Sequence, residues 1–250
     1  MNRIPERILD AIEHVLPKKK SKIGRPEMSP RKAFAGMWYV DKTGCQWSML
    51  PLEFGKPSTV HGKFMKWCRS GIFDKIMKMA RKLYMKKNQK NNWLAVDTSS
   101  RKAPFANFSG KNPTDRGKRG IKYAVLVDRK GLPINVDVGA ANTHDSKFLP
   151  SLLSQLKTQK KLTIIAADSA FDAKKLYQEC KKKNLALIAS PNQRRKKDVH
   201  KFNIPNRWVI EQSFGILSWY RGLKICWSKT LEASLAFLQL ACSIRLLSKC

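Results

Sequence analysis

The chain has 250 residues, 42% of them hydrophobic, enough to bury a core and to exclude wholesale disorder. Fifty lysines and arginines face 18 acids, for a net charge of +32. Self-repulsion on that scale calls for a polyanion, and nucleic acid is the usual one. An anionic membrane surface fits less well, because the basic residues are spread along the chain and not gathered on one amphipathic helix.

No run of about 18 apolar residues exists, so no transmembrane span is expected. The opening segment MNRIPERILDAIEH is charged and amphipathic, unlike a signal peptide. Six cysteines (Cys45, Cys68, Cys180, Cys226, Cys242 and Cys250) show no CxxC spacing. They are expected to be reduced, mostly buried thiols and not a zinc site, which suits the cytoplasm.

In chain order, Ile8, Leu9, Ile12 and Val15 form a helical stripe over 5–16, followed by the basic run KKKSKIGRP at 18–26. Ser29-Pro30 looks like an N-cap and first-turn proline for a helix reaching about Val40. Ser58-Thr59 opens another helix with Val60, Phe64 and Trp67. Gly71 then punctuates before Ile72, Phe73, Ile76, Ala80, Leu83 and Tyr84. Residues 1–88 therefore read as a small, basic, all-helical unit. Short helices around a tight glycine turn suit a helix-turn-helix-like DNA binder. A helical cap on the following domain is the alternative.

The period then changes. WLAVD (93–97) is an apolar strand, and YAVLVD (123–128) with LPINVDVG (132–139) flank Arg129-Lys130-Gly131 as a hairpin. A helix is predicted at about 147–157 with Thr143 and Ser146 as cap candidates. LTIIAAD (162–168) is a strand, 172–183 a basic helix and LALIAS (185–190) a strand. Two helices, at about 207–219 and 231–248, finish the chain. Residues 89–250 thus predict an α/β domain, a mixed sheet flanked by helices.

Three acids stand out against the basic background: Asp97, Asp168 and Glu211. The aspartates close apolar strands, where ligands of open α/β sheets bind. Glu211 lies on the 207–219 helix, with Arg207 four residues before it. Three such carboxylates suit Mg²⁺ or Mn²⁺ beside nucleic-acid phosphate, since phosphoryl transfer on paired metals needs closely spaced hard oxygen ligands. Taken singly, each has a plainer explanation. An aspartate at a strand end is more often a turn former, and Glu211 with Arg207 is a helical i, i+4 salt bridge. Only the combination, in this order, raises the metal reading.

The residues IGRPEMSPRKAFAGMWYVDKTGCQWSMLP, EFG and STVHGKFMKWCRSGIF resemble the N-terminal domain of transposases of the bacterial insertion-sequence five family. AVDTSS, GKNPTDRGKRGIKYAVLVDRKGLPINV, GAANTHDS, AADSAFDA and RWVIEQSFGILSWYRGLK resemble, in order, that family's catalytic motifs. The match covers nearly the whole chain. It implies an RNase H-like catalytic domain with a DDE triad falling on Asp97, Asp168 and Glu211, and the basic residue of the glutamate motif on Arg207. It further implies Mg²⁺ or Mn²⁺ as cofactor, double-stranded DNA as partner (terminal inverted repeats and target), and a homodimer or higher multimer. Strand transfer would proceed from a freed 3′-hydroxyl, without a covalent protein intermediate.

The chain departs from the pattern in three places. Ile204 stands where the signature has tyrosine, Ser218 where it has lysine (with Arg221 one turn later), and Ser48-Met49 where Arg-Asp is usual. The last bears on DNA affinity and not on chemistry.

Candidate phosphate contacts are Lys111, Arg116, Lys118 and Arg119 in the segment Lys111–Lys122, the patch Arg194, Arg195, Lys196 and Lys197, and Arg221. A solvated loop explains the first segment equally well. In His144-Asp145-Ser146, helix capping explains Asp145 and Ser146, and His144 is a poor candidate for a base. Trp38, Trp47, Trp67, Trp208, Trp219 and Trp227 are explained by core packing or hydrophobic staples, with stacking on a flipped base as the alternative for one of them. Two other functions are distinguishable. One is a catalytically silent DNA-binding transposon remnant, which would bind without cutting. The other is an RNase H-like nuclease on hybrids or junctions, which would not prefer inverted-repeat DNA.

Overall fold

The computed structural model describes residues 4–17, 27–88, 92–191, 204 and 207–250. Its first third is helical: α1 (Glu6–Ile12), α2 (Pro30–Thr43), α3 (Pro57–Arg69) and α4 (Ile72–Lys87). Proline occupies the first turn of both α2 and α3, where a missing N–H leaves no bond unmade. Gly44, at φ +68, ends α2 in a left-handed cap whose N–H reaches the Val40 carbonyl. Ser29 is the α2 N-cap residue, but its side chain accepts no capping bond.

Six strands follow, β1 (Trp93–Lys102), β2 (Gly110–Lys111), β3 (Arg119–Asp128), β4 (Pro133–Ala140), β5 (Thr163–Ala167) and β6 (Leu185–Ala189). The five longer ones lie in the order β4-β3-β1-β5-β6. β3 is antiparallel to β1 and β4, while β5 and β6 run parallel to β1 and to each other. This is the expected mixed sheet. The two-residue β2 adds to the free edge of β3 beyond β4, and no periodicity in the sequence marks it. The β3–β4 hairpin turns at Gly131, φ +70, whose missing side chain lets the Val209 carbonyl approach.

Helices α5 (Phe148–Ser154) and α6 (Lys174–Lys181) cover one face. On the other lie α7 (Trp208–Leu217) and α8 (Leu231–Leu247). β1 alternates accordingly: Asp97, Ser99 and Arg101 face α7, while Thr98 and Ser100 face the α5 side.

α8 is buried along almost its whole length, from Ala233 through Leu247, because it is enclosed on both sides. β4 lies against it from one side, and the N-terminal helices, α4 above all, from the other. One continuous hydrophobic core therefore runs from Ile8 and Phe34 through Leu240 to Val125 and Ile165. Two polar contacts add to this apposition. The Tyr84 hydroxyl of α4 donates to Asp128 Oδ2 at 2.6 Å in a buried setting, and Arg81 donates to Asn135 of β4.

Candidate active site

β1 and β5 pair in parallel from Trp93↔Ile164 to Val96↔Ala167, so the next residue on each strand is the aspartate, Asp97 and Asp168. Neighbouring strands lie about 4.8 Å apart. The two residues are thus neighbours across the sheet where β5 ends, and the charge of Asp168 is felt at Asp97. Asp168 ends β5 and caps the turn Ser169–Phe171 by accepting from the Ser169 N–H. Capping and adjacency to Asp97 coexist. Asp97 lies within β1, which stays paired to β3 after β5 has ended, and it accepts from the Thr98 N–H at 2.7 Å.

Burial sets the electrostatics of Asp97. Its side chain is 24% exposed, and desolvation pushes its carboxyl up to about 6. The Thr98 N–H and the Arg207 guanidinium pull it down, while the charges of Asp168 and Asp145 push it up.

Arg207 joins the third acid to the first. It stands at the N-terminus of α7, with Nη1 3.4 Å from Asp97 Oδ2 and Nη2 3.7 Å from Glu211 Oε1. The helical i, i+4 pair is therefore present, and the same guanidinium reaches across to β1. Val209, Ile210, Ser213 and Leu217 form the buried face of α7, and Ile216 is half-buried. Glu211 is 67% exposed on the outer face.

Among the described residues, no group of three or more His, Cys, Asp and Glu side chains is placed to hold a metal ion. Asp97 and Asp168 do fit a hard divalent cation of the Mg²⁺ type, which takes one or two carboxylates and fills its remaining positions with water and substrate oxygens. Glu211, turned to Arg207, stands outside that pair.

Three arrangements near the acids were not legible in the sequence. Asp145, read as a helix cap, accepts from Thr98 Oγ1 at 2.7 Å and pairs with Lys122 Nζ at 2.6 Å. His144 does the capping, with Nδ1 accepting from the Ser146 N–H. Lys122 also donates to the Thr143 carbonyl, so it is turned inward and is not part of an exposed basic loop. Arg101, four residues beyond Asp97 on the same face of β1, reaches Ser218 Oγ at 3.5 Å under the end of α7. Among the described residues no carboxylate pairs with it, and burial pulls its guanidinium below the usual range. A charge thus lies beside Ser218, where the family signature carries lysine. α7 ends at Leu217, so Arg221 does not continue its face. It occupies a separate turn, Arg221–Leu223, packed on Gly44 at the end of α2.

Lys111, Arg116 and Lys118 are exposed on a tight turn held by Asn112, which accepts from Thr114 and donates to the Lys118 carbonyl. Arg116, at φ +50, forms its tip. Arg119 is engaged, with Nε on Ser109 Oγ and Nη2 on the Ala106 carbonyl, both at 2.8 Å. Arg194, Arg195, Lys196 and Lys197 lie outside the described residues, as does the run 18–26. The tryptophans divide. Trp38 and Trp67 are core residues and Trp47 is half-buried, but Trp208, Trp219 and Trp227 are exposed, against the expectation of core packing. Among the described residues no helix is long and apolar enough to cross a membrane.

Comparison with known proteins agrees with the resemblance. A transposase for insertion sequence element IS402, so described, from Burkholderia cepacia is 25% identical over 145 residues, covering 54% of this chain and 67% of that protein. The piggyBac transposase, in a synaptic complex with hairpin DNA, matches with 10% identity and a TM-score of 0.45, over 98% of this chain and 70% of its own. A pre-cleavage Mos1 transpososome matches with 10% identity and a TM-score of 0.31, over 93% of this chain and 81% of its own. Residues 6–77 match the family described as transposase of IS4/5 family. Residues 64–246, well over half of the chain, match the Transposase DDE domain, and the chain belongs to that family of transposases.

Proposed function

We propose that this transposase cuts DNA at the terminal inverted repeats of an insertion sequence and joins the freed ends to target DNA, with Asp97, Asp168 and Glu211 as its acids. The carrying observation is the register of β1 and β5, which sets Asp97 beside Asp168, together with the single guanidinium that joins Asp97 to Glu211.

Asp97 and Asp168 would hold Mg²⁺ or Mn²⁺, with Glu211 as the third acid. When bound, the metal supplies Lewis-acid stabilisation of charge on the phosphate oxygens. In cleavage, a water oxygen bonds to phosphorus as the 3′-oxygen leaves, giving a 5′-phosphate and a 3′-hydroxyl. In transfer, that hydroxyl attacks a target phosphorus and expels the target's own 3′-oxygen. Arg207 orients both acids and favours the ionised Asp97. Arg101 contacts phosphate along the same face of β1.

Residues 1–88 would recognise the repeats and residues 89–250 would carry the chemistry. Lys111, Arg116 and Lys118 present charge to the duplex backbone, and Arg194, Arg195, Lys196, Lys197 and Arg221 are offered for the same role. Double-stranded DNA is the partner, and a homodimer or higher multimer would hold two ends. Work on chromosomal DNA would place the protein at the nucleoid in the cytoplasm.

The test is cleavage of a labelled duplex carrying the element's terminal repeat, with Mg²⁺ or Mn²⁺, by wild type and by Glu211→Gln. Cuts at the repeat boundary should fall on the order of 10³-fold or more in the variant, as loss of several kcal/mol of transition-state stabilisation implies. Equal binding by both with cutting by neither would identify a silent DNA-binding remnant instead.

A further inference from the structure

A groove of about 820 Å³ lies between the N-terminal helices and the segment that links α7 to α8. One wall carries Trp47, His61 and Phe64, and the other Phe105, Trp227 and Lys229. Trp47 is packed in place, its ring 5.1 Å from His61 and 5.3 Å from Phe64. Phe105 and Trp227 are different. They are 59% and 58% exposed, and they stack on each other with ring centroids 5.7 Å apart at 29°.

Single exposed aromatic residues are ordinary, but two stacked at the rim of a large groove form a surface with a partner in view. The segments that carry them are tied together. The Cys226 N–H donates to the Lys102 carbonyl at 2.8 Å, and the Asn107 N–H to the Lys229 carbonyl at 2.9 Å. Arg119 clamps Ala106 and Ser109 from the other side, which gives that exposed arginine a structural task.

Charge narrows the choice of partner. Among the described residues, the groove lining includes Lys229 and His61 but no carboxylate. Exposed Arg221, Lys224 and Lys229 follow one another along the segment beside it, in a chain of net charge +32. An apolar peptide would gain nothing from that field, whereas a polyanion with flat aromatic bases matches both the rings and the charge. Connection to the catalytic face is direct. β1 carries Asp97, and Phe105 follows eight residues later, at most about 26 Å away by strand rise, which is less than one turn of B-DNA. Paired bases do not offer their faces to side chains, so the groove takes bases that are already unstacked.

We propose that this groove binds single-stranded or locally melted DNA by stacking bases on the Phe105–Trp227 pair, within reach of the strand being processed. This rests on the DNA-transposase reading, and the experiment separates the two. Anisotropy of a labelled short oligo(dT) and of a labelled duplex of equal length would be measured for the whole chain, with wild type, Phe105→Leu, Trp227→Phe and the double Phe105→Leu/Trp227→Leu variant. The double variant should lose on the order of 10- to 100-fold on oligo(dT), since stacking is the contact removed, and keep its duplex affinity. Trp227→Phe, which retains a ring, should keep most of the single-strand binding, and Phe105→Leu alone should lose part of it. Both rings are largely exposed, so the variants should unfold at the wild-type temperature. Single-strand binding that survives the double substitution, or that falls in step with duplex binding, overturns the proposal and leaves the transposase reading standing. Failure of wild type to bind either DNA overturns both.

Discussion

The guanidinium of Arg207 stands 3.4 Å from the carboxylate of Asp97, 110 positions earlier in the chain, while also meeting Glu211 one helical turn away. Its positive charge offsets part of the burial that raises Asp97. Removing it by Arg207→Ala should push Asp97 further up from about 6 and move the acid limb of cleavage to higher pH. For a half-exposed pair the move should be less than about one pH unit. Arg207→Lys should keep the limb near its place while lowering rate, because lysine lacks the two-pronged fork. A protonated Asp97 also competes with a metal ion, so the Mg²⁺ concentration for half-maximal cleavage should fall as pH rises through 6. A flat metal requirement from pH 5 to 8 would remove Asp97 from the ligand set.

Asp145 should act in the opposite sense. Its charge raises Asp97, so Asp145→Asn should move the same acid limb to lower pH. The substitution also takes the anion from the half-buried Lys122 and weakens an acceptor of Thr98. A cost of about 1–3 kcal/mol is expected for a charge-paired, partly buried hydrogen bond, visible as a lower Tm. A change in Tm with no change in the pH profile would confine Asp145 to stability.

Asp41 is an unsatisfied acid in the core. It is fully buried in α2, and neither carboxylate oxygen has a hydrogen-bond partner among the described residues. Burial pushes it well above the usual carboxylate range. The native chain therefore keeps this proton while the unfolded chain loses it near pH 3.9, so stability should fall as pH rises above about 4. Asp41→Asn, which has no proton to lose, should flatten that decline, so that its stability relative to wild type rises from pH 5 to pH 7. Thermal unfolding at pH 5 and pH 7 decides it, and equal slopes for the two proteins would count against it.

Salt dependence should separate the basic residues. Lys111, Arg116 and Lys118 are exposed and unengaged by carboxylates among the described residues, so each one that neutralises a phosphate contributes about 0.9 to the slope of log K against log salt. Arg116→Ala/Lys118→Ala should reduce the slope accordingly and weaken binding to all sequences alike. Arg119→Ala should instead disturb the 106–109 loop, and with it the aromatic groove, because its donors are occupied there.

Much of this architecture was legible in the chain itself. The helices and the five longer strands follow from period, from Pro30 and from the glycines at 71 and 131. A side-chain repeat of 3.6 or 2 is a local property of the sequence. The order of the acids is local as well, and so is the strand end before Asp168, but β1 runs on past Asp97 to Lys102 because β3 pairs with it there. β2 was not legible, because two residues carry no period and pair only where β3 happens to offer an edge.

What tertiary structure alone decided is which distant groups meet. Asp145 and His144 are adjacent in sequence, yet one pairs with Lys122 beside the acids and the other caps a turn. Arg101 lies far from Ser218 in sequence but comes within 3.5 Å of it, because strand alternation and the position of α7 place them on one face. Trp227 resembles Trp67 in composition, yet one is exposed and the other buried. Sequence period fixes which face a side chain points from. Only the packing of α8 between the sheet and the N-terminal helices decides what that face meets.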